Sequence, residues 1–142
     1  MERILLVIMT FMLSGRAMTL AFIHRAGGTA PGDPPAAWLM PLIGDAVIGL
    51  TGLAMIAVIL RARGLWAWTA LVVWNTLAIW DALSAFIIHL TNPWPQFFMI
   101  HTFGALMFFI ASAMHATNVY LLTRPTILRD LLRNTGCNAN AV

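Results

Sequence analysis

The chain has 142 residues, of which 61% are hydrophobic and 9% are charged, and its mean hydropathy is +0.85. Soluble domains carry about 25% charged residues, so this composition excludes an ordinary soluble domain and predicts a protein embedded in a lipid bilayer. The formal net charge of +3 comes from arginine without any lysine, and we interpret it as a determinant of membrane orientation rather than of nucleic-acid binding. Cys137 is the only cysteine, which excludes an intrachain disulfide.

The first apolar run extends over residues 4–24 and is long enough to cross a bilayer, which needs about 20 apolar residues. A cleaved signal peptide is the competing interpretation, because a charged start and a short apolar core precede Ser14 and Gly15. Arg16 stands where a cleavage site needs small neutral residues, and apolar sequence resumes after it. We therefore favour an uncleaved transmembrane helix.

The segment 25–37 is rich in glycine and proline, which predicts an irregular loop. This loop is interpreted either as a solvated linker or as a flexible cover over one mouth of the protein.

Two further apolar runs, 38–60 and 65–90, predict the second and third transmembrane helices. In the second run, Asp45, Gly49 and Gly52 fall on one helix face. Small residues on one face let helices approach closely. This face is therefore expected to be buried against protein, with Asp45 directed away from lipid.

A fourth apolar run at 97–122 follows the short connection 92–95, so the third and fourth runs are expected to form an antiparallel hairpin. Apolar and charged residues alternate with helical spacing over 126–134, which predicts a short amphipathic helix on the membrane surface. The tail 135–142 is predicted to be disordered. The predicted fold class is all-α: four antiparallel transmembrane helices with a short C-terminal surface helix, in one domain over residues 1–134.

The distribution of arginine predicts the orientation of the chain in the membrane. One side of the predicted topology carries Arg25 in its loops, and the other carries Arg3, Arg61, Arg63, Arg124, Arg129 and Arg133. The positive-inside rule then places both termini in the cytoplasm, in a bacterial inner membrane. Trp38 and Trp94 are expected to mark the outer membrane interface. The expected partners are lipid and either a second copy or another membrane protein, with no nucleic acid.

Three charged side chains from three different runs are predicted to lie at one depth. Counting from the outer ends at about 1.5 Å per residue puts Arg16 about 12 Å deep, Asp45 about 10 Å and Asp81 about 13 Å. One guanidinium beside two carboxylates nearly compensates charges that would be prohibitive singly. We interpret these residues, with Asn75 deeper in the third run, as a site that binds or passes a small ligand or a proton. The alternative is a structural ion-pair network that fixes helix register.

The four histidines are the weaker candidates, for metal or haem ligation. His24, His89 and His101 are expected near the outer face, where imidazole would suit zinc, copper or iron. His115 is expected near the inner face. The H-x13-H spacing of His101 and His115 resembles that of the haem-bearing helices of the membrane b-type cytochromes. This resemblance covers one helix and implies haem b in a redox subunit. The chain departs from the pattern where a partner helix should repeat it, since Asn75 accompanies His89 there, and the inner haem would lack a ligand.

Three functional hypotheses follow from the sequence. The first is a non-enzymatic membrane protein with an outward-facing polar pocket, for which no cofactor is predicted. The second is an accessory or structural subunit of a larger membrane complex. The third is a redox subunit with haem b. An enzyme is not expected, because the chain contains no dinucleotide-binding fingerprint, P-loop or nucleophile elbow.

Overall fold

In the computed structural model, which describes residues 1–132, the chain is helical with no strand in that range. The α-helices are α1 (Glu2–Ser14), α2 (Leu20–Ile23), α3 (Leu39–Arg61), α4 (Leu65–Thr91), α5 (Phe98–Phe103), α6 (Leu106–Thr123) and α7 (Pro125–Leu132). A 3-10 turn, Gly15–Thr19, joins α1 to α2, and a second one, Ala36–Trp38, leads into α3. The predicted all-α class is confirmed. The predicted tail 135–142 and the last two positions of the predicted surface helix lie outside the described residues.

Within residues 1–132, four helical segments are long and apolar enough to cross a membrane. They are Glu2–Ile23, Ala36–Arg61, Leu65–Thr91 and Leu106–Thr123. Each corresponds to one of the predicted apolar runs. The fourth run differs in that the structure divides it into α5 and α6 at Gly104, whose φ is +57° and ψ is −146°. Glycine alone adopts this backbone conformation readily, so the helix breaks there.

One end of the bundle, which we call the closed end, is sealed by α7 and by the start of α1. Arg3 Nη2 donates a 2.6 Å hydrogen bond to the carbonyl of Ile59, and its Nη1 lies 3.0 Å from the carboxylate of Asp130. The backbone N–H of Gly64 donates to the carbonyl of Leu131 at 2.6 Å. The apolar core of this end consists of Leu6, Ile59, Leu71, Leu121, Leu122, Ile127 and Leu131. The apolar face of α7 therefore packs on the bundle itself.

The opposite end brings the loop 24–38 against the connection 92–97. The indole N–H of Trp38 donates to the carbonyl of Asn92 at 2.7 Å, and that of Trp94 donates to the carbonyl of Gly32 at 3.0 Å. Both tryptophans are buried, at 3% and 1% exposure, in an aromatic cluster with Phe97 and Phe108. The structure thus uses Trp38 and Trp94 as core residues of this end, where the sequence predicted lipid-interface anchors.

The predicted loop, residues 25–37, is irregular up to the 3-10 turn that begins at Ala36, and it is held by its own hydrogen bonds. Arg25 Nε donates to Asp33 Oδ1 at 2.7 Å, and the backbone N–H of Ala30 donates to Asp33 Oδ2 at 2.9 Å. The N–H of Gly27 donates to the carbonyl of Pro34 at 2.9 Å. One aspartate therefore organises the turn of this loop.

Candidate functional site

The structure brings Arg16, Asp45 and Asp81 into direct contact from the first 3-10 turn, α3 and α4. Arg16 Nε donates to Asp45 Oδ1 at 2.6 Å, and Arg16 Nη2 donates to Asp81 Oδ2 at 2.5 Å. Nη2 also contacts the Asp45 carboxylate. The side chains are 13%, 18% and 18% exposed, respectively. We call these three residues the charged triad.

The backbone around Arg16 is a 3-10 turn, and local contacts explain how it is held against α3. The Thr19 hydroxyl lies 2.8 Å from the carbonyl of Arg16 and 3.2 Å from that of Leu42. Such side-chain to backbone bonds compete with regular α-helical pairing. Gly49 lies directly against the turn, since a Cβ there would overlap the backbone nitrogen of Ala17. The absence of a side chain at Gly49 therefore allows α3 to approach the segment that carries Arg16.

The glycines of α3 make contacts within this chain. A Cβ at Gly52 would lie 3.1 Å from the Ser14 side chain, at the end of α1. A Cβ at Gly44 would overlap the carboxylate of Asp81. Gly49 and Gly52, which belong to the predicted small-residue face, therefore contact the first helical segment. Gly44, which was not part of that prediction, makes room for the side chain of Asp81 on α4.

His115 belongs to this site, although counting residues placed it near the inner end. It is fully buried, its Nε2 lies 3.5 Å from Arg16 Nη1, and its Nδ1 lies 2.9 Å from Asn75 Oδ1. A guanidinium has donors only, so Nε2 is the acceptor and Nδ1 carries the proton that is donated to Asn75. Both ring nitrogens are thereby engaged, which leaves neither of them for a metal or for haem iron.

The polar contacts continue from Asn75 towards the closed end. Asn75 Nδ2 donates to the carbonyl of Leu71 at 2.8 Å. Asn118 Nδ2 lies 3.3 Å from Asn75 Oδ1 and 3.4 Å from the hydroxyl of Thr10. Thr10 and Asn118 are buried and were not predicted as site residues. The signal that would have found Asn118 is its position three residues after His115, which places both on one helix face.

A cavity of about 380 Å³ adjoins the charged triad. It lies between the first helical segment, Glu2–Ile23, and the pair α5 and α6. Arg16, Thr19 and Asp45 supply its polar lining, and the two charged side chains form its charged wall. Three phenylalanines line it at Phe97, Phe103 and Phe108. Five thioethers also line it, from Met12, Met18, Met99, Met107 and Met114. Small-molecule sites are mostly apolar clefts of about 300–1,000 Å³ with a few converging polar groups, and this cavity has those properties.

The remaining histidines lie apart from the charged triad. His24 and His101 are exposed. His89 lies with its ring centroid 5.5 Å from that of Phe108, and its Nδ1 is buried without a hydrogen-bond partner in residues 1–132. In the same range, no three His, Cys, Asp or Glu side chains come together as a group that could hold a metal ion. The break at Gly104 separates His101 from His115, so the continuous helix that the haem resemblance requires is interrupted.

Comparison with known proteins gives no match: no protein family, curated protein or solved structure is significantly similar to this chain. A functional conclusion therefore depends on the site itself, since function resides in specific residues and their geometry.

Proposed function

We propose that this protein is a non-enzymatic integral membrane protein that binds a small ligand in the cavity beside the charged triad. The observation that carries this proposal is the position of Arg16 and Asp45 on the cavity wall. A structural ion-pair network needs no adjoining space. Here two of its three members face a volume of about 380 Å³, where a bound molecule would contact both a charged wall and an apolar one.

The membrane arrangement that we propose has four antiparallel transmembrane helices. It is supported by contacts at the closed end, where Arg3 at the start of α1 pairs with the end of α3 and with Asp130 of α7. At the opposite end, the hydrogen bond from Trp38 to Asn92 joins the loop 24–38 to the short connection 92–97. With the arginine distribution, this arrangement puts the closed end and both termini in the cytoplasm, and the cavity in the outer half of the bundle. A bacterial inner membrane is the proposed location.

The experiment that tests this proposal is cysteine accessibility in proteoliposomes. Cys137 is the only cysteine, so Cys137→Ser gives a thiol-free background. Met107→Cys then places a thiol on the cavity wall, and Leu77→Cys places one on the 60% exposed outer face of α4 as the matched control. We expect the neutral reagent N-ethylmaleimide to modify the Met107→Cys thiol at least several-fold faster. Equal or slower modification would contradict an accessible pocket.

A second candidate function is that of a subunit in a homo-oligomer or a larger membrane complex. The observation that favours it is an apolar stripe on α4, at helical spacing and interrupted only by Ser84, in which Val73, Leu77, Trp80 and Ile87 are between 49% and 72% exposed. Aromatic residues are enriched at the centres of protein interfaces. Light scattering of the purified protein in detergent would give its subunit number. If Trp80→Ala leaves a monomer where the unmodified chain is larger, the stripe is an interface.

A further inference from the structure

We propose that the ligand of the cavity is a lipophilic organic monocation that enters from the bilayer. This inference rests on the proposed function and names the ligand class of the same site. Three observations carry it: the charge of the triad, the composition of the cavity wall, and the side through which the cavity opens.

The charge balance of the triad favours a cation. One guanidinium lies against two carboxylates, so the cluster carries one excess negative charge when all three groups are ionised. His115, which also faces Arg16, adds no charge because its Nε2 accepts and its Nδ1 donates. An uncompensated charge is costly away from water. A cation placed beside Asp45, the carboxylate on the cavity wall, would compensate it.

The composition of the wall favours an organic cation over an inorganic ion. Calcium and magnesium bind through several oxygen ligands, whereas among residues 1–132 Asp45 is the only carboxylate that lines this cavity. The rings of Phe97, Phe103 and Phe108 offer aromatic surface, which attracts cations. Methionine side chains are polarisable and adapt to irregular shapes. Such walls suit a bulky apolar body around a single positive charge.

The route of entry follows from where the cavity opens. Towards the closed end, α1 and α6 meet through Thr10 and Asn118. On the other side of this contact, the cavity lies between the first helical segment and α5–α6. The residues at its edge are exposed on the side of the bundle: Met12 is 63% exposed, Met18 51% and Phe103 46%. In the proposed membrane orientation this side faces lipid. A ligand dissolved in the bilayer would therefore reach Asp45 through this lateral opening.

Two size-matched ions of opposite charge test the inference: tetraphenylphosphonium and tetraphenylborate. Their binding to the purified full-length protein in dodecyl maltoside would be measured by equilibrium dialysis. We expect saturable binding of tetraphenylphosphonium, about tenfold or more tighter than that of tetraphenylborate, because complementary charge discriminates between partners. Asp45→Asn should weaken it by a similar factor. Asp33→Asn, which removes a carboxylate from the loop 24–38, is the control and should leave it unchanged.

A second variant keeps the test decisive if Asp45→Asn fails to fold. Ala111→Phe fills the cavity without changing a charge, and it should abolish tetraphenylphosphonium binding while circular dichroism and gel filtration show folded protein. Unchanged binding in folded Ala111→Phe would overturn the inference. Equal or tighter binding of tetraphenylborate, or binding of neither ion, would also overturn the cation class. The proposed function would survive those results if Met107→Cys is still modified, and it would fail if that thiol is inaccessible.

Discussion

The seam between α1 and α6 is filled in one half of the bundle and open in the other. Near the closed end, Leu6 and Leu121 belong to one apolar core, and Thr10 meets Asn118 at 3.4 Å. In the other half, the same two helical paths separate around a cavity of about 380 Å³ with Arg16 on its wall. One pair of neighbouring helices therefore provides both a packed core and a binding space.

The difference between the two halves lies in the backbone. Both paths are regular α-helix where the seam is filled. Where the seam is open, the segment Glu2–Ile23 contains the 3-10 turn Gly15–Thr19, and the chain that leads into α6 is broken at Gly104. A 3-10 helix rises about 2.0 Å per residue, compared with about 1.5 Å in an α-helix, so side chains after the turn leave the α-helical register. The open half therefore coincides with local departures from α-helix in both neighbouring segments.

The polar groups of the two halves also differ in charge. Towards the closed end, they are the neutral amides and hydroxyl of Asn75, Asn118 and Thr10. At the cavity they are the ionisable groups of the charged triad. Neutral buried networks specify packing, whereas ionisable groups at membrane depth are by default functional candidates. This contrast leads us to expect stability effects from one half and binding effects from the other.

The largest effect is expected from Arg16→Leu, which leaves two neighbouring carboxylates without their cation. Breaking a buried ion pair by removing one partner destabilises proteins by about 3–5 kcal/mol. We expect a loss of this size in the free energy of unfolding, measured by denaturant titration in detergent. Arg25→Leu is the matched control, because Arg25 pairs with Asp33 in a loop and its side chain is 39% exposed.

The triple variant Arg16→Leu, Asp45→Asn, Asp81→Asn sharpens this prediction. Removing all three charges should restore much of the lost stability, because no unpaired carboxylate remains. If Arg16→Leu alone is as stable as the unmodified protein, the triad does not hold the open half together.

The next largest effect is expected from Gly49→Ala. The added methyl group would overlap the backbone of Ala17, and overpacking of this kind destabilises by about 1–3 kcal/mol. Because Ala17 directly follows Arg16, this overlap would also displace Arg16, and the affinity for tetraphenylphosphonium should fall as well. Gly15→Ala is the matched control for stability in the same turn, since nothing lies within 4 Å of a Cβ there. Comparable losses in the two variants would show that close packing on α3 does not position Arg16.

Much of this architecture is predictable because apolar length and helical spacing are local properties of the sequence. The four long helices followed from hydropathy. Counting residues along regular helices gave a common depth for Arg16, Asp45 and Asp81, but not which carboxylate pairs with Arg16, and the structure shows both against it. Counting predicted the common depth of the three residues because they lie at comparable distances along the chain from one end of the bundle.

The cavity could not be predicted, because the irregular backbone segments that flank it are not visible in the sequence. A lone glycine in an apolar run does not reveal its φ, so the break at Gly104 was not visible in the sequence. For the same reason counting placed His115 near the inner end, whereas the structure buries it beside Arg16. The role of Trp38 was also hidden, since core and membrane-interface tryptophans have the same sequence signature.

A smaller effect, confined to the closed end, is expected from Arg3→Met. Arg3 donates to the last carbonyls of α3 and pairs with Asp130, but these side chains are 30% and 41% exposed. Partly exposed ion pairs and hydrogen bonds contribute about 1 kcal/mol. Thermal unfolding should therefore shift modestly, with unchanged tetraphenylphosphonium binding. Arg61→Met, a change at an exposed arginine of the same end, serves as the control. A loss of binding in Arg3→Met would mean that the two halves are coupled.

The smallest effects are expected from the histidines outside the charged triad. His24 and His101 are exposed, and exposed substitutions usually change stability by about 0.5 kcal/mol or less, so His24→Ala and His101→Ala should unfold like the parent protein. The haem hypothesis predicts otherwise, because loss of an axial ligand would release the cofactor. Visible spectra of the purified protein, oxidised and then reduced with dithionite, distinguish the two. We expect no Soret band. If a Soret band is present and is lost in His101→Ala or His89→Ala, the open half is a redox site, and the charged triad lies beside a haem rather than a cation.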